Sequence, residues 1–470
     1  MDGDEFRRRG HEVVDWMADY MDGVEGYPVK SQVEPGHVTS QLPDAPPKEG
    51  EPFETIMADL DAVIMPGITP WQHPSFFAYF PANNSPPSVL AEMVVSALSV
   101  QCMIWQTSPA ATELEERVME WLRDMLGLPR TFTGVLQDTA STATLCAIVS
   151  ARERATDHAV NAKGMGVWGD LTAYCSTETH SSIEKGVKIA GLGRENLRKV
   201  PVDMDFAMVP GELEKAIEGD LDGGKRPVIA VATIGTTGST AIDPLREIGE
   251  VCQKYGIWLH VDAAHAGTAL LLPEYRWMVD GIVMADSFVM NPHKWMLSNL
   301  PCSAYFVRDP EALVRTFEIM PEYLRTREAG VTNYRDWGIQ LGRRFNALKL
   351  WFVIRSYGVE GLQAIVREHI RLARWIGERI DASEVFEVLA PVPVNLVCFR
   401  YHPVGVDDPD EMERLNQELL ERLNATGKLY LTHTRLGGVF TLRLVVGQTR
   451  VEQGHVEKAW ELIRSTAMQL

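Results

Sequence analysis

The chain is poor in cysteine and in basic residues, and it has no long uncharged apolar run. Its six cysteines are scattered without a CxxC pair, which favours reduced thiols in the core. The most apolar stretch, 89–105, is interrupted by Glu92 and Gln101, so no membrane helix is predicted. Lysine and arginine total 45 against 64 acidic residues, and the net charge of −19 disfavours nucleic acids and anionic membranes as partners.

Length and composition indicate a large globular protein. At 470 residues with 45% hydrophobic residues, the chain exceeds the usual single-domain size, so we expect one large domain with smaller additions. The first six residues are acidic and polar, unlike a secretory signal. A soluble, cytoplasmic protein is therefore expected.

The order of apolar strands and amphipathic helices predicts an α/β fold. A strand at 228–233, a helix at 244–254 and a strand at 257–262 form a βαβ pattern, typical of a mostly parallel sheet with helices on both faces. An amphipathic helix over 4–23 precedes this region and needs another surface to cover its apolar face. Near residue 375 the pattern changes to that of a small α+β domain. The predicted divisions are a helical segment at 1–82, a large domain at 83–375 and a small domain at 376–470.

Two strand ends carry the chemistry that a pyridoxal phosphate enzyme requires. Lys294 follows the apolar run 285–290, and Asp262 ends another apolar run upstream. An amine at one strand end can hold the aldehyde of the cofactor, and a carboxylate at another can keep its ring nitrogen protonated. Ala263 and Ala264 are too small to keep a flat ring away from Asp262. Taken alone, Asp262 fits a helix N-cap or a turn equally well, but its pairing with Lys294 favours an enzyme.

Two further segments are candidates for cofactor contacts. The segment 137–144 precedes a helical run at 145–154, so its small residues would present N–H groups and hydroxyls at a helix N-terminus, a geometry that binds phosphate. Ordinary Ser or Thr capping is the alternative. His180 also follows an apolar stretch and could lay its imidazole on a cofactor ring, although such a histidine is more often a loop or cap residue.

A metal site is a weaker interpretation of the histidines around Asp262. His260 and Asp262 share a strand face, whereas His265 does not. No third ligand at zinc-like spacing accompanies them, so no metal is expected.

With Lys294, Asp262 and His180 in chain order, the sequence resembles the group II pyridoxal phosphate decarboxylases, and within them the aromatic L-amino acid decarboxylases. The resemblance implies fold type I of the pyridoxal phosphate enzymes and pyridoxal 5'-phosphate as cofactor. It also implies a homodimer in which the N-terminal segment packs across the subunits and the active sites lie at the subunit interface. The matching motifs cover most of the chain and are Trp71-Gln72-His73-Pro74, Phe77-Ala78-Tyr79-Phe80-Pro81, Ser108-Pro109-Ala110, Glu113-Leu114-Glu115, Thr179-His180-Ser181-Ser182, Gly235-Thr236-Thr237-Gly238, His260-Val261-Asp262-Ala263-Ala264, Asn291-Pro292-His293-Lys294-Trp295 and Leu341-Gly342-Arg343-Arg344-Phe345.

The resemblance implies roles for individual residues. Lys294 would hold the cofactor's aldehyde, Asp262 would pair with the pyridine nitrogen and His180 would stack on the ring. Tyr334 matches the tyrosine that protonates the carbanion in family decarboxylases, whereas relatives with phenylalanine there tend to be aldehyde synthases. The polar stretch 326–334 matches the family's mobile catalytic loop, which excludes water when it closes. The other cofactor positions are Thr233 and Ala264 beside the ring and Ala140, Ser141, Ser287, Asn291 and His293 around the phosphate.

The implied substrate pocket is aromatic. Trp71, Tyr79 and Phe80 match the family's pocket and offer flat apolar contacts suited to an indole or phenol, with no cation for an acidic side chain. Core packing would be the interpretation without the resemblance. The full substrate-binding set is Trp71, Tyr79, Phe80, Pro81, Gln101, Met103 and His180. The chain departs from animal family members, which have Thr, Ile, Phe and Tyr, at Ala82, Gln101, Met103 and His265, positions that bear on substrate choice.

The implied reaction is decarboxylation of an aromatic L-amino acid to the arylalkylamine and CO2. Candidate substrates are tryptophan, 5-hydroxytryptophan, tyrosine, phenylalanine and DOPA. An aromatic aldehyde synthase on the same scaffold is the first alternative, and Tyr334 disfavours it. A catalytically silent dimer is the second, disfavoured because the lysine, aspartate, histidine and tyrosine are all present.

Overall fold

The computed structural model describes residues 1–319 and 330–470, and these residues form two compact units. The first unit contains Met1–Pro81, Trp375–Leu389 and Cys398–Leu470, and the second contains Ala82–Arg374 and Ala390–Val397. The expected N-terminal segment and C-terminal domain thus share one unit. The three-part division of the chain stays a prediction.

The strands of the described residues form two sheets. The seven strands of the larger sheet are β1 (Thr133–Gln137), β2 (Leu171–Ser176), β3 (Leu197–Val200), β4 (Arg226–Thr233), β5 (Trp258–Asp262), β6 (Ser287–Met290) and β7 (Ser303–Val307). The four strands of the smaller sheet are β8 (Phe386–Val388), β9 (Leu396–Tyr401), β10 (Thr432–Leu436) and β11 (Val439–Val445).

The helices lie between and around these strands. The α-helices are α1 (Gly3–Gly23), α2 (Phe53–Asp59), α3 (Pro86–Leu98), α4 (Pro109–Leu126), α5 (Ala140–Ala155), α6 (Ala159–Lys163), α7 (Ser181–Ile189), α8 (Pro210–Asp222), α9 (Leu245–Tyr255), α10 (Pro292–Trp295), α11 (Pro310–Phe317), α12 (Asn346–Asp381, kinked at Gly358), α13 (Pro409–Ala425) and α14 (Gln453–Ala467). Short 3₁₀ turns occur at Val24–Gly26, Thr39–Gln41, Met65–Gly67, Trp105–Thr107, Met165–Val167, Arg194–Asn196, Ala266–Leu271, Pro273–Val279, Ile282–Met284 and Tyr334–Asp336, and a π turn at Leu60–Ile64. No helix in the described ranges is long and apolar enough to cross a membrane.

The larger sheet is mostly parallel. Its strand order is β1-β7-β6-β5-β4-β2-β3, and β7 alone within it runs antiparallel to both neighbours. Alternate residues of β4 face opposite sides: Ala230 and Ala232 join one hydrophobic core, whereas Ile229 and Val231 join another. Helices α4, α8, α9 and α12 contribute to the first core, and α5, α7 and α11 to the second. The predicted α/β class, a mostly parallel sheet with helices on both faces, is confirmed.

The first unit joins the two ends of the chain. Its sheet has the order β10-β11-β9-β8, with antiparallel pairing between β10 and β11 and between β8 and β9. The N-terminal segment adds to this region through Phe77, whose N–H donates to the carbonyl of Tyr430 at 3.0 Å and whose carbonyl accepts from the N–H of Val445 at 2.9 Å. These main-chain bonds explain why residues before Pro81 fold with residues after Cys398.

The larger sheet places three predicted residues at one edge. Thr233 ends β4, Asp262 ends β5, and Lys294 lies in α10, which starts directly after β6. Because β4, β5 and β6 are parallel, their carboxyl ends meet at the same edge, where ligands bind in open α/β sheets.

Candidate active site

Asp262 is held at its strand end by the local backbone. Every residue of β5 is buried, so the strand lies in the middle of the sheet and its last carboxylate emerges at the carboxyl edge. The Oδ1 atom of Asp262 accepts a hydrogen bond from the N–H of Ala264 at 3.0 Å. The side chain is 5% exposed, so its charge is largely withdrawn from water.

Lys294 lies in the single turn α10 at the same edge. The N–H of Asn291 donates to the carbonyl of Ala264 at 3.0 Å, which ties the start of α10 to the segment after Asp262. The N–H of Lys294 donates to the carbonyl of Asn291 at 2.9 Å. Burial lowers the pKa of Lys294, and the neighbouring carboxylate of Asp262 partly opposes that shift. A lowered pKa increases the share of neutral amine, the form that attacks an aldehyde.

His180 caps helix α7 and lies within electrostatic reach of both residues. Its Nδ1 accepts a hydrogen bond from the N–H of Ser182 at 3.1 Å, so the lone ring proton of the neutral form is on Nε2. Burial lowers the pKa of His180, the charge of Asp262 raises it, and the charge of Lys294 lowers it further. The three residues predicted to act together are therefore close enough to affect one another's charge.

The Thr233 hydroxyl indicates that this edge is built for a bound polar group. Thr233 is 4% exposed, and its Oγ1 has no hydrogen-bond partner among the described residues. Its N–H is engaged, because it donates to Oδ2 of Asp243 at 2.7 Å. A buried hydroxyl without a partner costs free energy unless a ligand supplies the missing bond. This hydroxyl, the amine of Lys294 and the carboxylate of Asp262 fit a cofactor with an aldehyde and a basic ring nitrogen.

A helix N-terminus provides the candidate phosphate contacts. Helix α5 begins at Ala140, with Thr139 as its N-cap and Ser141 in the first turn. The hydroxyl of Thr139 accepts from the N–H of Thr142 at 3.4 Å, so part of the first turn is already capped. Ser141 is exposed, and the N–H groups of a first helical turn attract a phosphate dianion. Phosphate binding by Ala140 and Ser141 stays a prediction.

Ser287 has a different setting from the other predicted phosphate residues. It starts β6 and is fully buried, at the level of His260 rather than of Asp262. Its hydroxyl accepts from Nε1 of Trp258 at 2.9 Å and also lies 2.9 Å from Nδ1 of His260. The hydroxyl is thus already used by two side chains, which indicates a supporting position beneath the site.

Asn291 and His293 hold α10 in place. The Oδ1 atom of Asn291 accepts a hydrogen bond from the hydroxyl of Ser303 on β7. The Nδ1 atom of His293 accepts from the N–H of Cys302 at 3.1 Å, and the carbonyl of His293 accepts from the N–H of Asn83 at 3.0 Å. Burial, with a further contribution from the charge of Lys294, lowers the pKa of His293 to about 4. His293 is therefore neutral near pH 7.

Gln101 and Met103 contact the segment that carries Tyr334. The Oε1 atom of Gln101 accepts from the N–H of Arg343 at 2.7 Å, and the carbonyl of Met103 accepts from the N–H of Arg335 at 2.8 Å. These hydrogen bonds connect the segment 101–103 to the segment 335–343. A role in substrate binding stays a prediction for both residues.

Tyr334 is buried in this segment. Its ring packs edge-on against Trp337 at 5.5 Å, and the guanidinium of Arg343 lies 4.5 Å from the ring centre. Burial raises the pKa of Tyr334 well above the ordinary value for tyrosine. Its described contacts include neither Lys294 nor Asp262. The remainder of the predicted catalytic loop, including Thr326 and Glu328, lies outside the described residues.

The predicted aromatic residues cluster in the first unit. Trp71 and Tyr79 stack with ring centres 5.6 Å apart and planes 13° apart. Sequence reasoning missed Tyr430, whose hydroxyl lies 3.3 Å from that of Tyr79, and Arg443, whose guanidinium lies 5.3 Å from the ring of Phe80. Both lie far along the chain from the aromatic motif, and no local pattern indicated the contact. Pro81 is buried at the end of this motif.

Histidine, cysteine, aspartate and glutamate form no metal-binding cluster among residues 1–319 and 330–470. His265 turns away from Asp262: its Nε2 lies 2.8 Å from Oδ1 of Asn395, and its ring stacks on Trp295.

Comparison with known proteins agrees with the geometry of the edge. Residues 35–402 match the model of the family described as the pyridoxal-dependent decarboxylase conserved domain. The chain belongs to this family. As a pyridoxal-dependent decarboxylase it is an enzyme, and its cofactor is pyridoxal 5'-phosphate.

Three relatives of this decarboxylase extend over nearly its whole length. Tyrosine decarboxylase 4 of Petroselinum crispum is 44% identical over 99% of this chain and 94% of its own. Phenylacetaldehyde synthase of Petunia hybrida is 41% identical over 99% of this chain and 95% of its own. The crystal structure of Oryza sativa TDC with PLP and tryptamine has a TM-score of 0.97 and 37% identity, and the match covers 100% of this chain and 99% of that one. The likeness confirms the decarboxylase fold expected from the sequence.

Proposed function

We propose that the protein decarboxylates an aromatic L-amino acid, namely tryptophan, 5-hydroxytryptophan, tyrosine, phenylalanine or DOPA, to the arylalkylamine and CO2. The observation that carries the proposal is the electrostatic proximity of Lys294, Asp262 and His180 at the carboxyl edge of the sheet. Relatives named for tyrosine decarboxylation and phenylacetaldehyde synthesis, and a similar structure that holds tryptamine, support an aromatic substrate.

We propose a distinct chemical role for each residue of this edge. Bound pyridoxal phosphate supplies the electron sink for the carbanion that loss of CO2 leaves. Asp262, buried and fixed by the N–H of Ala264, holds a proton at the ring nitrogen and so keeps that sink positively charged. Lys294, whose pKa is lowered, offers a neutral Nζ to the aldehyde. The hydroxyl of Thr233 would donate to the bound group and thereby gain the partner that it lacks.

His180 and the start of α5 position the bound group. Because Nδ1 of His180 is fixed by Ser182, the imidazole presents a flat face of defined orientation to the ring. The N–H groups at the start of α5, with the hydroxyl of Ser141, bind the phosphate. Both contacts would fix the plane of the ring, and the pocket would then hold the substrate in a defined orientation against it.

We propose that the aromatic cluster of Trp71, Tyr79 and Phe80 binds the substrate side chain. The stacked pair of Trp71 and Tyr79 leaves the Tyr79 ring exposed, as a site for a flat apolar group requires. The guanidinium of Arg443 is buried against the ring of Phe80, and burial lowers its pKa. We therefore treat Arg443 as part of the packing of the cluster and not as a cation that pairs with a substrate side chain. Indole and phenol rings suit these surfaces better than an acidic side chain.

We propose that a tyrosine of the segment 323–334 returns a proton to the carbanion. Tyr334 is the residue expected from the family resemblance, but its burial beside Trp337 requires a movement before its hydroxyl can deliver a proton. Tyr323 is a second tyrosine in the same stretch and lies outside the described residues. Replacing each tyrosine separately identifies the donor.

An aromatic aldehyde synthase is the second candidate. The similarity to a phenylacetaldehyde synthase supports it, whereas a tyrosine at position 334 disfavours it. We further propose that the enzyme works in the cytoplasm as a homodimer with the N-terminal segment at the subunit interface. The exposed Phe6 and Val14 on α1 support such a contact.

The test is to incubate the cofactor-loaded protein with each aromatic amino acid and with glutamate, and to record amine, aldehyde, CO2 and oxygen uptake together. Amine with equal CO2 and no oxygen uptake supports the decarboxylase, and aldehyde with oxygen uptake supports the synthase. Turnover of glutamate alone would overturn the aromatic assignment. Borohydride reduction followed by peptide mapping tests Lys294, since attachment to any other lysine would overturn its role.

A further inference from the structure

A buried hydrogen bond joins the residue after Lys294 to a distant helix. Trp295 ends α10, its side chain is fully buried, and its Nε1 donates to Nδ1 of His369 on α12 at 2.9 Å. The two ring planes are 15° apart. An indole N–H can only donate, so Nδ1 of His369 must present a lone pair. His369 therefore carries at most one ring proton, on Nε2, while this bond exists.

The same indole is held on its face by the segment that follows Asp262. The ring of His265 stacks on Trp295, with centres 5.1 Å apart and planes 13° apart. His265 is fixed in turn by a 2.8 Å hydrogen bond between its Nε2 and Oδ1 of Asn395. Both histidines are buried, at 1% exposure for His265 and 2% for His369. The indole thus has one fixed contact on its face and one at its edge.

Helix α10 is too short to fix its own direction. It spans Pro292–Trp295, a single turn, and an isolated turn of helix is unstable without tertiary contacts. Lys294 and Trp295 are adjacent, so a rotation of the turn that displaces the indole also displaces the lysine. The packing of Trp295 therefore adds to the hydrogen bonds of Asn291 and His293 in directing the amine of Lys294.

We propose that His369 is a positioning residue for Lys294, acting through the hydrogen bond to Trp295, and that His265 supports the same indole from its face. This inference rests on the proposed attachment of the cofactor to Lys294. His369 and His265 together hold α10 in the orientation that directs the amine of Lys294 towards the cofactor. When the hydrogen bond to Trp295 is lost, α10 becomes more mobile. The consequence is faster release of pyridoxal phosphate and a wider range of ring orientations.

Four variants of the holoenzyme test the inference. Trp295→Phe and His369→Leu each remove the hydrogen bond, and we expect pyridoxal phosphate to leave about tenfold faster, as the loss of one buried hydrogen bond predicts. The visible circular dichroism band of the bound cofactor should change in both. His369→Asn keeps an oxygen at the position of Nδ1 that can accept the indole N–H, so its release rate should lie within about twofold of wild type. The double variant Trp295→Phe/His369→Leu should release the cofactor no faster than either single variant.

Tyr174→Phe is the matched control for general destabilisation. It also removes a buried hydrogen bond, from the Tyr174 hydroxyl to Asp220 at 2.7 Å, on a strand distant in sequence from α10. We expect a lower free energy of unfolding for this variant, with unchanged cofactor release and an unchanged dichroism band. If Trp295→Phe and His369→Leu behave like Tyr174→Phe, the hydrogen bond is merely structural and the inference is overturned.

Two further outcomes keep the test decisive. If His369→Leu fails to fold, the comparison of Trp295→Phe with His369→Asn decides, because only the first lacks the hydrogen bond. Borohydride reduction of the same preparations separates the two proposals. A label on another lysine overturns the proposed role of Lys294, whereas a label on Lys294 with unchanged release overturns only the positioning role of His369.

Discussion

Thr233 and Asp262 are register partners, each the last residue of its strand, on the neighbouring parallel strands β4 and β5. The backbone N–H of Thr233 is bound by Asp243, and the carboxylate of Asp262 is bound by the N–H of Ala264. The Thr233 hydroxyl has no hydrogen-bond partner among the described residues. Two rigid strand ends thus present a hydroxyl and a carboxylate side by side. The role of each side chain can be tested by replacing that residue alone.

Thr233→Val should weaken cofactor binding without destabilising the apoenzyme. Replacing a buried hydroxyl that has no partner by a methyl group is nearly neutral or stabilising, whereas the bond it would make to the cofactor is lost. We expect an unchanged or higher free energy of unfolding for the apoenzyme and about fivefold weaker binding of pyridoxal phosphate. Calorimetry and cofactor titration measure the two quantities.

Thr172→Val is the control for this prediction. The Thr172 hydroxyl is buried and lies 2.8 Å from that of Tyr174, so its loss should destabilise the apoenzyme and leave cofactor affinity intact. A Thr233→Val variant that loses stability and keeps its affinity would show that the hydroxyl has a structural partner.

Asp262→Asn should lower turnover by about a hundredfold or more while the cofactor still binds. The amide cannot keep the ring nitrogen protonated, so the electron sink loses its charge in the transition state. Turnover is measured per bound cofactor. Asp286→Asn is a suitable control, because Asp286 is similarly buried but accepts hydrogen bonds from Leu259 and Arg154 before the start of β6. Near-normal turnover in Asp262→Asn would refute the assignment.

Acid should destabilise the apoenzyme through its buried histidines. Burial lowers the pKa of His260 to about 4 from an ordinary 6.5, so the unfolded chain binds more protons between these values. The contribution of the neutral His260 to the free energy of unfolding is present in full above about pH 6.5 and is lost as the pH falls through 4. His260→Gln should reduce the slope of unfolding free energy against pH in this window by at most about 1.4 kcal/mol per pH unit.

The exposed His37 provides the comparison for His260. His37→Gln makes the same substitution at an exposed position and so shows what the change of side chain does to the slope apart from burial. Denaturant unfolding at several pH values between 4 and 7 gives both slopes. Equal slopes for His260→Gln and wild type would mean that His260 is protonated in the folded protein.

Tyr334→Phe should shift the product from amine towards aldehyde, peroxide and ammonia if Tyr334 delivers the proton. Amine, aldehyde and oxygen uptake are measured on the same sample. Tyr323→Phe is the matched variant, since both tyrosines belong to the same stretch. A shift in Tyr323→Phe with an unchanged ratio in Tyr334→Phe would transfer the role to Tyr323 and leave Tyr334 as a packing residue beside Trp337 and Arg343.

Local periodicity explains which parts of the fold could be predicted. The helix expected at 4–23 is observed as Gly3–Gly23, and the strands expected at 228–233 and 257–262 are observed as Arg226–Thr233 and Trp258–Asp262. Each depends on the apolar pattern of a single segment. The placement of Lys294 and Asp262 at one edge of the sheet could also be predicted, because parallel strands align their carboxyl ends.

Features that join distant segments could not be predicted in this way. The use of the Ser287 hydroxyl by Trp258 and His260 depends on the register between β5 and β6, which no single segment specifies. The contact of Tyr430 with Tyr79 joins opposite ends of the chain. The pairing of Trp295 with His369 depends on the path of α12 after its kink at Gly358.

The antiparallel strand β7 has a consequence for biosynthesis. Strand β1 is the first of the larger sheet to leave the ribosome, yet it pairs only with β7, the last. Until β7 emerges, both hydrogen-bonding edges of β1 are unpaired, and such edges promote aggregation. Strand β1 must therefore wait for most of the larger domain to be synthesised before it joins the sheet, and the yield should depend on chaperones that protect this strand.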